Sequence, residues 1–361
     1  MQGNGFALRD ERAAPPALAR IEPLGTADLA AWDRFVEAQE RASLYHLSRW
    51  RTVIAEAFGH TLEALGAWSG DGRLLGLLPL VRLRSRLFGD YQVSLPYFNY
   101  GGAVAVSAEI EEALMRHAGE AAAARGCSHV EFRDSQVRPG WPARTDKVAM
   151  ELSLPDDPEL LWKAFGGKLR AQIRRPFKES GMTVARGGEE LLDEFYLVFA
   201  RNMRDLGTPV YPRRLFAAIL ATFPERARIV VVRHRGRPVA AAFLIDYRRR
   251  MEIPWASSVR DYNRFGVVMA LYWEALQLAI ERGNQVFDFG RSSVDAGTYR
   301  FKKQWGAQPR QLYWHYWLAA GRELPRLSPD NPKYRLAIRA WQRLPLPLAN
   351  RLGPLIVKHL P

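Results

Sequence analysis

Two stretches of the chain run through the same succession of elements, and that repetition restricts the available folds more than any other feature. In the first, a hairpin is expected over Leu62 to Trp68 and Leu74 to Leu83, about the turn Ser69-Gly-Asp-Gly72. A further strand leads into Ser94-Leu-Pro-Tyr-Phe-Asn-Tyr-Gly-Gly102, a helix over 108–125 closes at Gly126, and strand His129 to Phe132 follows. In the second, Ile229 to Arg233 and Pro238 to Ile245 flank Gly236, then come strand 251–257, a polar loop to Gly266, a helix over 267–282 closed by Gly283, and strand Val286 to Phe289. Leu95-Pro-Tyr…Gly-Gly102 corresponds to Ile253-Pro-Trp…Gly266, and Val130-Glu-Phe-Arg to Phe287-Asp-Phe-Gly. A duplicated α/β unit accounts for both series. Ahead of the first, helices are expected over Thr26 to Gln39 and from Ser48 to just before Gly59; a helix-rich block, 157–222, precedes the second.

The 361 residues are long enough for two domains of ordinary size. One cysteine, Cys127, excludes an intrachain disulfide and a cysteine-based metal cluster. The first twenty residues have no apolar core of the kind a secretory leader needs, and apolar runs such as Leu74 to Val81 are far below the roughly 18 residues of a spanning helix. The reading is a cytoplasmic protein. Lys and Arg number 52 against 38 Asp and Glu, a net charge of +14, which favours polyanionic partners. Residues 322–361 hold eight Lys/Arg against two acids, and Asn331 to Arg343 reads as an amphipathic helix. That makes peripheral contact with an inner membrane through 331–361 an expectation. The aromatic run Leu312 to Leu318 suits a closing edge of the second sheet.

The richest chemistry lies after the last strand of the second unit, in Phe287-Asp-Phe-Gly-Arg-Ser-Ser-Val-Asp-Ala-Gly-Thr-Tyr-Arg-Phe-Lys-Lys-Gln-Trp-Gly-Ala307. Strand ends followed by Gly-bearing loops are where α/β proteins place their chemistry. Tyr299, Phe301 and Trp305 interleave with the charges, which argues for a packed segment rather than a solvated one. No metal-ligand spacing, Gly-x-Ser-x-Gly elbow or P-loop is present, which sets aside zinc hydrolases, serine hydrolases of that type and P-loop NTPases. The run Lys168-Leu-Arg-Ala-Gln-Ile-Arg-Arg-Pro-Phe-Lys178 reads as a helix presenting cations either to solvent or to phosphates, through Lys168, Arg170, Arg174 and Arg175. His46 and His60 read as structural histidines before bases.

Gly297-Thr-Tyr-Arg-Phe-Lys-Lys-Gln-Trp-Gly306, the Lys168–Gly181 run and the loop before Gly266 resemble FemABX-type peptidyl and acyl transferases. Phe58-Gly-His60, Leu95-Pro-Tyr-Phe-Asn-Tyr-Gly-Gly102 and Asp288-Phe-Gly-Arg-Ser292 resemble, more narrowly, FemAB-like proteins associated with exosortase/PEP-CTERM systems. The resemblance implies an α/β (α+β) chain of two tandem GNAT-like (acyl-CoA N-acyltransferase-like) domains packed side by side, at 20–153 and 154–320. A flexible N-terminus (1–19) and a basic amphipathic C-terminal tail (321–361) flank them. It implies transfer of an aminoacyl or acyl group to an amine or hydroxyl acceptor in cell-envelope or exopolysaccharide assembly. The acceptor would be an anionic nucleotide- or lipid-linked precursor. No cofactor is expected to be tightly bound. The donor is aminoacyl-tRNA or an acyl-CoA or acyl-carrier thioester; Asn263-Arg-Phe-Gly-Val-Val268 departs from the CoA-binding turn, with valine where a small residue belongs.

Such chemistry needs a positioned acceptor, a proton acceptor and a donor to the developing oxyanion. The cleft is expected where strand 251–257 parts from strand 286–289, with Trp255, Tyr262 and Asn263 on one lip. Lys302, matching the Phe-Lys of the family motif, is assigned to the oxyanion or a phosphate. Asp295 is the first candidate base and Asp288 the second. Arg291 would grip an acceptor carboxylate or phosphate, Tyr299 would orient it, and Asn99, Tyr100 and His46 would bind it from the first domain. A structural role competes with each of these. The rival class is a non-catalytic RNA- or membrane-surface-binding protein on the same duplicated scaffold.

Overall fold

The computed structural model describes residues 17–179, 181–325 and 332–361. Residues 1–16 of the N-terminus expected to be flexible, and 326–331 of the tail, lie outside the described residues; Leu18 and Ala19 already belong to strand β1 (Leu18–Pro23). The first half continues through α1 (Leu29–Ala38), α2 (Trp50–Phe58), β2 (Leu62–Ser69), β3 (Leu74–Ser85), β4 (Gly89–Val93), a short β5 (Val104–Ala105), α3 (Ala108–Ala124) and β6 (His129–Asp134). A short β7 (Ala143–Arg144) leads to β8 (Lys147–Ser153), α4 (Pro158–Ala164), α5 (Gly167–Phe177), β9 (Met182–Gly187), α6 (Leu192–Leu206) and α7 (Arg213–Thr222). Then come β10 (Ala227–His234), β11 (Arg237–Tyr247), β12 (Arg250–Ser258), α8 (Val267–Glu281), β13 (Val286–Ser293), α9 (Gly297–Gln304), β14 (Gln308–Gln311) and β15 (Tyr313–Leu318). Two helices, α10 (Pro332–Gln342) and α11 (Leu346–Val357), complete the chain.

The strands form two sheets, ordered β1-β2-β3-β4-β6-β15-β7 and β14-β8-β13-β12-β11-β10-β9. Each is an antiparallel meander that ends in one parallel pair, β4 with β6 in the first and β12 with β13 in the second. The duplication is thus visible in the pairing itself. Beyond each parallel pair lie two more antiparallel strands, β15 and β7 in the first sheet and β8 and β14 in the second, and here the halves exchange chain. Lys147–Ser153, before the expected boundary at 153/154, pairs with β13 in the second sheet. The aromatic strand β15 pairs with β6 in the first sheet, not at the edge of the second as its sequence suggested. The reason lies in β6, which buries an ion pair, Arg133 to Glu131 at 2.8 Å. Tyr316 donates to Glu131 at 2.6 Å and the Trp314 ring lies 4.5 Å from the Arg133 guanidinium, so β15 completes the contacts of this buried ion pair.

Helix α3 covers one face of the first sheet, and α4, α5 and α8 cover one face of the second. A third core joins the halves: Trp50 packs on Phe223 at 5.3 Å and Phe98 on Trp255 at 5.7 Å. The two sheets are therefore fixed against one another by buried aromatic area, worth about 1.5–3 kcal/mol per fully buried large side chain.

The tail is two helices, not one. The prolines that obscure α11 in the sequence sit at its cap (Pro345), in its first turn (Pro347), where no intrahelical N–H is lost, and at Pro354 inside it. Both helices lie on α6 and its following loop. Arg204 donates to the Leu344 carbonyl at 3.0 Å, and Gln342 to that of Asp205 at 3.1 Å. The last turn then reaches the first half: the Lys358 carbonyl accepts from His60 at 2.7 Å and Tyr97 at 2.9 Å, and the His359 carbonyl from Tyr91 at 2.9 Å. Gly353 permits this approach, because a Cβ there would stand 2.7 Å from the Val210 nitrogen. Gly353→Val is expected to cost about 1–3 kcal/mol and to loosen α11. Limited trypsin digestion would show it, with cleavage at Arg343 and Arg351 accelerated over wild type.

Candidate active site

The parallel pairing of β12 with β13 runs from Arg250/Val286 to Glu252/Asp288 and stops there. Beyond this point the strands diverge, as the sequence led us to expect. The divergence follows from a bulge: the register of β13 on β8 slips between Asp288 and Arg291, and Gly290 takes φ +73°, a conformation a glycine adopts without strain. The bulge turns the Gly290 N–H onto Asp288 at 2.8 Å and the carbonyls of Gly290 and Arg291 onto the Lys302 ammonium, at 3.0 and 2.9 Å. Lys302, from α9, is 7% exposed. Burial lowers its pKa to about 8, with Arg291 pushing the same way and Asp288 opposing.

Across the gap stands Glu252, which the sequence reading passed over. It is also 7% exposed, accepting from Tyr45 at 2.6 Å and from Asn99 at 3.3 Å. Burial, and then the charge of Asp288, raise its pKa to about 8. Asp288 itself is fully buried and held by Tyr100 at 2.7 Å and Arg250 at 2.8 Å as well as by the Gly290 N–H. Arg250 extends the network to Glu151 at 2.7 Å. Two carboxyl groups on neighbouring strands are thus treated oppositely: one braced by a guanidinium, the other left to hydroxyl and amide donors. The second arrangement leaves a buried carboxyl able to take up a proton. A cavity of about 350 Å³ opens onto this network, lined in part by Tyr45, Tyr100, Glu151, Arg248, Arg250 and Glu252.

The first half contributes three of these groups. Asn99 and Tyr100 reach the network directly, and Asn99 Nδ2 lies 4.0 Å from where a Cβ on Gly290 would stand. His46 does not reach it. Its Nδ1 accepts from the Ser43 N–H at 3.0 Å, its Nε2 donates to the Gly102 carbonyl at 2.9 Å, and burial lowers its pKa. Both nitrogens are spent on holding a turn.

Of the remaining candidates, Arg291 is exposed, lies 5.2 Å from the Trp314 ring, and has no carboxylate within 4.0 Å among the described residues. Asp295 is exposed at φ +61°, with no hydrogen bond or ion pair among the described residues. Tyr299 packs against the second core, with the Lys303 ammonium 5.8 Å from its ring. Trp255 is a core residue, not a lip: it is enclosed by Phe98, Tyr211, Phe216 and Phe243. Tyr262 packs on His234 and Phe265, and Asn263 is exposed in the 3₁₀ turn before α8. The basic run forms α5, with Lys168, Arg174 and Arg175 exposed and Arg170 half-buried. None of these four has an acidic partner among the described residues; Arg174 instead lies over Trp162 at 4.9 Å. Lys168 and Lys303 line one open depression of about 520 Å³. No cluster of three or more metal-ligating side chains occurs among the described residues.

Comparison with known proteins agrees with the fold. Residues 165–303 match the family model of the acetyltransferase (GNAT) domain. The UDP-N-acetylmuramoylpentapeptide-lysine N(6)-alanyltransferase of Weissella viridescens is 25% identical over 160 residues, a match that spans 43% of this chain and 47% of that protein. The crystal structure of FemX superposes with a TM-score of 0.59 at 14% identity, over 88% of this chain and 100% of that one. A tandem GNAT protein from the clavulanic acid biosynthesis pathway gives 0.54 at 14% identity, over 84% and 99%. The chain thus has a tandem GNAT-like fold of the FemX kind, and its residues 165–303 match the GNAT acetyltransferase domain.

Proposed function

We propose that this protein is an acyltransferase that moves an aminoacyl or acyl group from an activated donor to an amine of an anionic cell-envelope precursor. The observation that carries the reading is the buried Lys302 ammonium, tied to two carbonyls where β12 and β13 part. Among the described residues two of its three N–H bonds have partners, and the third would meet an oxyanion. A surface-binding module has no use for a cation so placed.

In this reading the acceptor nitrogen attacks the donor carbonyl carbon and the displaced electron pair settles on the carbonyl oxygen, opposite Lys302. Glu252, whose pKa burial raises to about 8, takes the proton from nitrogen and returns it to the leaving oxygen or sulfur as the intermediate collapses. Tyr45 and Asn99 orient Glu252, and Arg250, Tyr100 and Asp288 keep the strands in register. Arg291, without a carboxylate of its own, binds a phosphate or carboxylate of the acceptor. Lys168, Arg170, Arg174 and Arg175 bind phosphates of the donor, whether tRNA or a CoA-type thioester.

The alanyltransferase relative acts, by its name, on the lysine of a UDP-linked muramoyl pentapeptide, and a muropeptide precursor is the acceptor class we put first. A narrower assignment, to exopolysaccharide assembly linked to exosortase and PEP-CTERM systems, rests on Phe58-Gly-His60 and Asp288-Phe-Gly-Arg-Ser292. Mass spectrometry of lipid-linked sugars, muropeptides and exopolysaccharide would test both. Cells with the protein should hold an acceptor heavier by one acyl group that is missing when the gene is deleted. Identical pools would refute transfer to these acceptors.

A further inference from the structure

The C-terminal helices have no task in the chemistry above, yet their outward surface has a definite character. From Pro332 to the end the chain carries six cations (Lys333, Arg335, Arg339, Arg343, Arg351 and Lys358) and no Asp or Glu. The inward faces are accounted for: Ile338 meets Gly207, and Ala349, Gly353 and Val357 are buried. The outward faces combine leucine with arginine. On α10, Leu336 is 72% exposed and shares its face with the exposed Arg339 and Ala340, three and four residues on, and the exposed Arg343 follows in the turn after the helix. On α11, Leu348 and Leu355, 41% and 58% exposed, lie in line with the exposed Arg351. Both helices lie on α6, and each turns its leucine- and arginine-bearing side away from its own buried face. Asp205 at the end of α6 is already paired with Arg204 at 2.7 Å and does not offset the charge.

We propose that this surface docks the folded protein on an anionic lipid bilayer, leucines entering the acyl boundary and arginines meeting the headgroups. Exposed leucine costs hydration free energy that a bilayer relieves, while the long arginine stems let the charge stay at headgroup level. The charge complements anionic lipid along the whole segment. Nucleic acid would use the same cations but gains nothing from leucine, and among the side chains described on this face there is no exposed aromatic for a base to stack on. No helix among the described residues is long and apolar enough to cross a membrane, so the contact is peripheral. The inference concerns residues remote in sequence from Lys302 and Glu252 and stands apart from the proposed activity.

Sedimentation of the full chain with vesicles tests it. Binding to phosphatidylcholine vesicles containing phosphatidylglycerol should exceed binding to phosphatidylcholine alone at least about tenfold and should weaken as salt is raised. The triple variant Leu336→Ser, Leu348→Ser, Leu355→Ser should lose about tenfold in affinity with an unchanged far-ultraviolet spectrum. Arg335→Glu with Arg339→Glu and Arg343→Glu should lose at least as much, whatever the fate of the leucine variant. Equal binding to both kinds of vesicle, or none, overturns the proposal. So does vesicle binding that the arginine variant keeps, or a leucine-independent attachment that tRNA displaces, which would make this a nucleic-acid face.

Discussion

Lys302→Ala is expected to lower the rate of acyl transfer at least about a hundredfold while leaving the chain folded, the usual cost of removing a preorganised oxyanion donor. The ammonium is fixed by the Gly290 and Arg291 carbonyls, so it does not reorganise when charge develops. Two carbonyls lose their partner in the variant, at about 1–3 kcal/mol for each that stays dry. A fall in Tm should therefore accompany the fall in rate, and the assay is run well below the transition. Lys302→Arg should not rescue, since a planar guanidinium cannot keep two N–H groups on the consecutive Gly290 and Arg291 carbonyls of β13 and aim a third across the gap. The pH profile identifies the group. Because burial lowers the pKa of Lys302 to about 8, wild-type turnover should decline as the ammonium deprotonates above that pH. The alanine variant should lack that limb. Unchanged turnover in Lys302→Ala would remove the residue from the mechanism.

How far the sequence led depended on whether a feature was local. The repeated order of hairpin, Gly-bearing loop, helix and strand could be read because each element carries its own periodicity and terminator, such as Gly59 at φ +72° closing α2. The exchange of β8 and β15 could not, because strand partners are chosen by tertiary contacts: β15 goes where Arg133 and Glu131 need Trp314 and Tyr316. The same division holds at the site. Lys302 stood in a recognisable segment. Glu252 stood in Met251-Glu-Ile-Pro-Trp255 as an ordinary acid in an apolar strand, and only the placement of Tyr45 and Asn99, from the other half, gives it a role. A lone carboxylate in a run that is otherwise buried was the available signal. Asp295 drew attention for the opposite reason: it lies near Lys302 in sequence but is exposed in the loop before α9. Trp255 had aromatic character suited to a ligand wall, and the joined core of the two halves claimed it instead.

Glu252→Gln should separate activity from stability, because a proton acceptor held in the dark of a core burdens the fold it serves. Transfer should fall about 10²–10⁴-fold, the range for loss of a general base. Tyr45 can turn its hydroxyl to accept from the new amide, so the site should keep its shape. Stability should move the other way. Burial and Asp288 raise the pKa of Glu252 in the folded chain to about 8, against about 4.3 for a glutamate in the unfolded chain. The folded state therefore holds the proton more tightly, and the stability this provides is complete below about pH 4 and is lost as pH rises toward 8. Glutamine carries no charge at any pH and loses nothing over that interval. Thermal melts should show the variant and wild type alike near pH 4 and the variant several degrees more stable at pH 9, at about 2–4 °C per kcal/mol. The two readouts constrain each other. A variant that is inactive but no more stable at pH 9 would mean that Glu252 is already ionised in the resting protein and acts as a fixed charge. A variant that gains stability and keeps full activity would assign the proton transfer to another group, with Asp295 the next to be replaced.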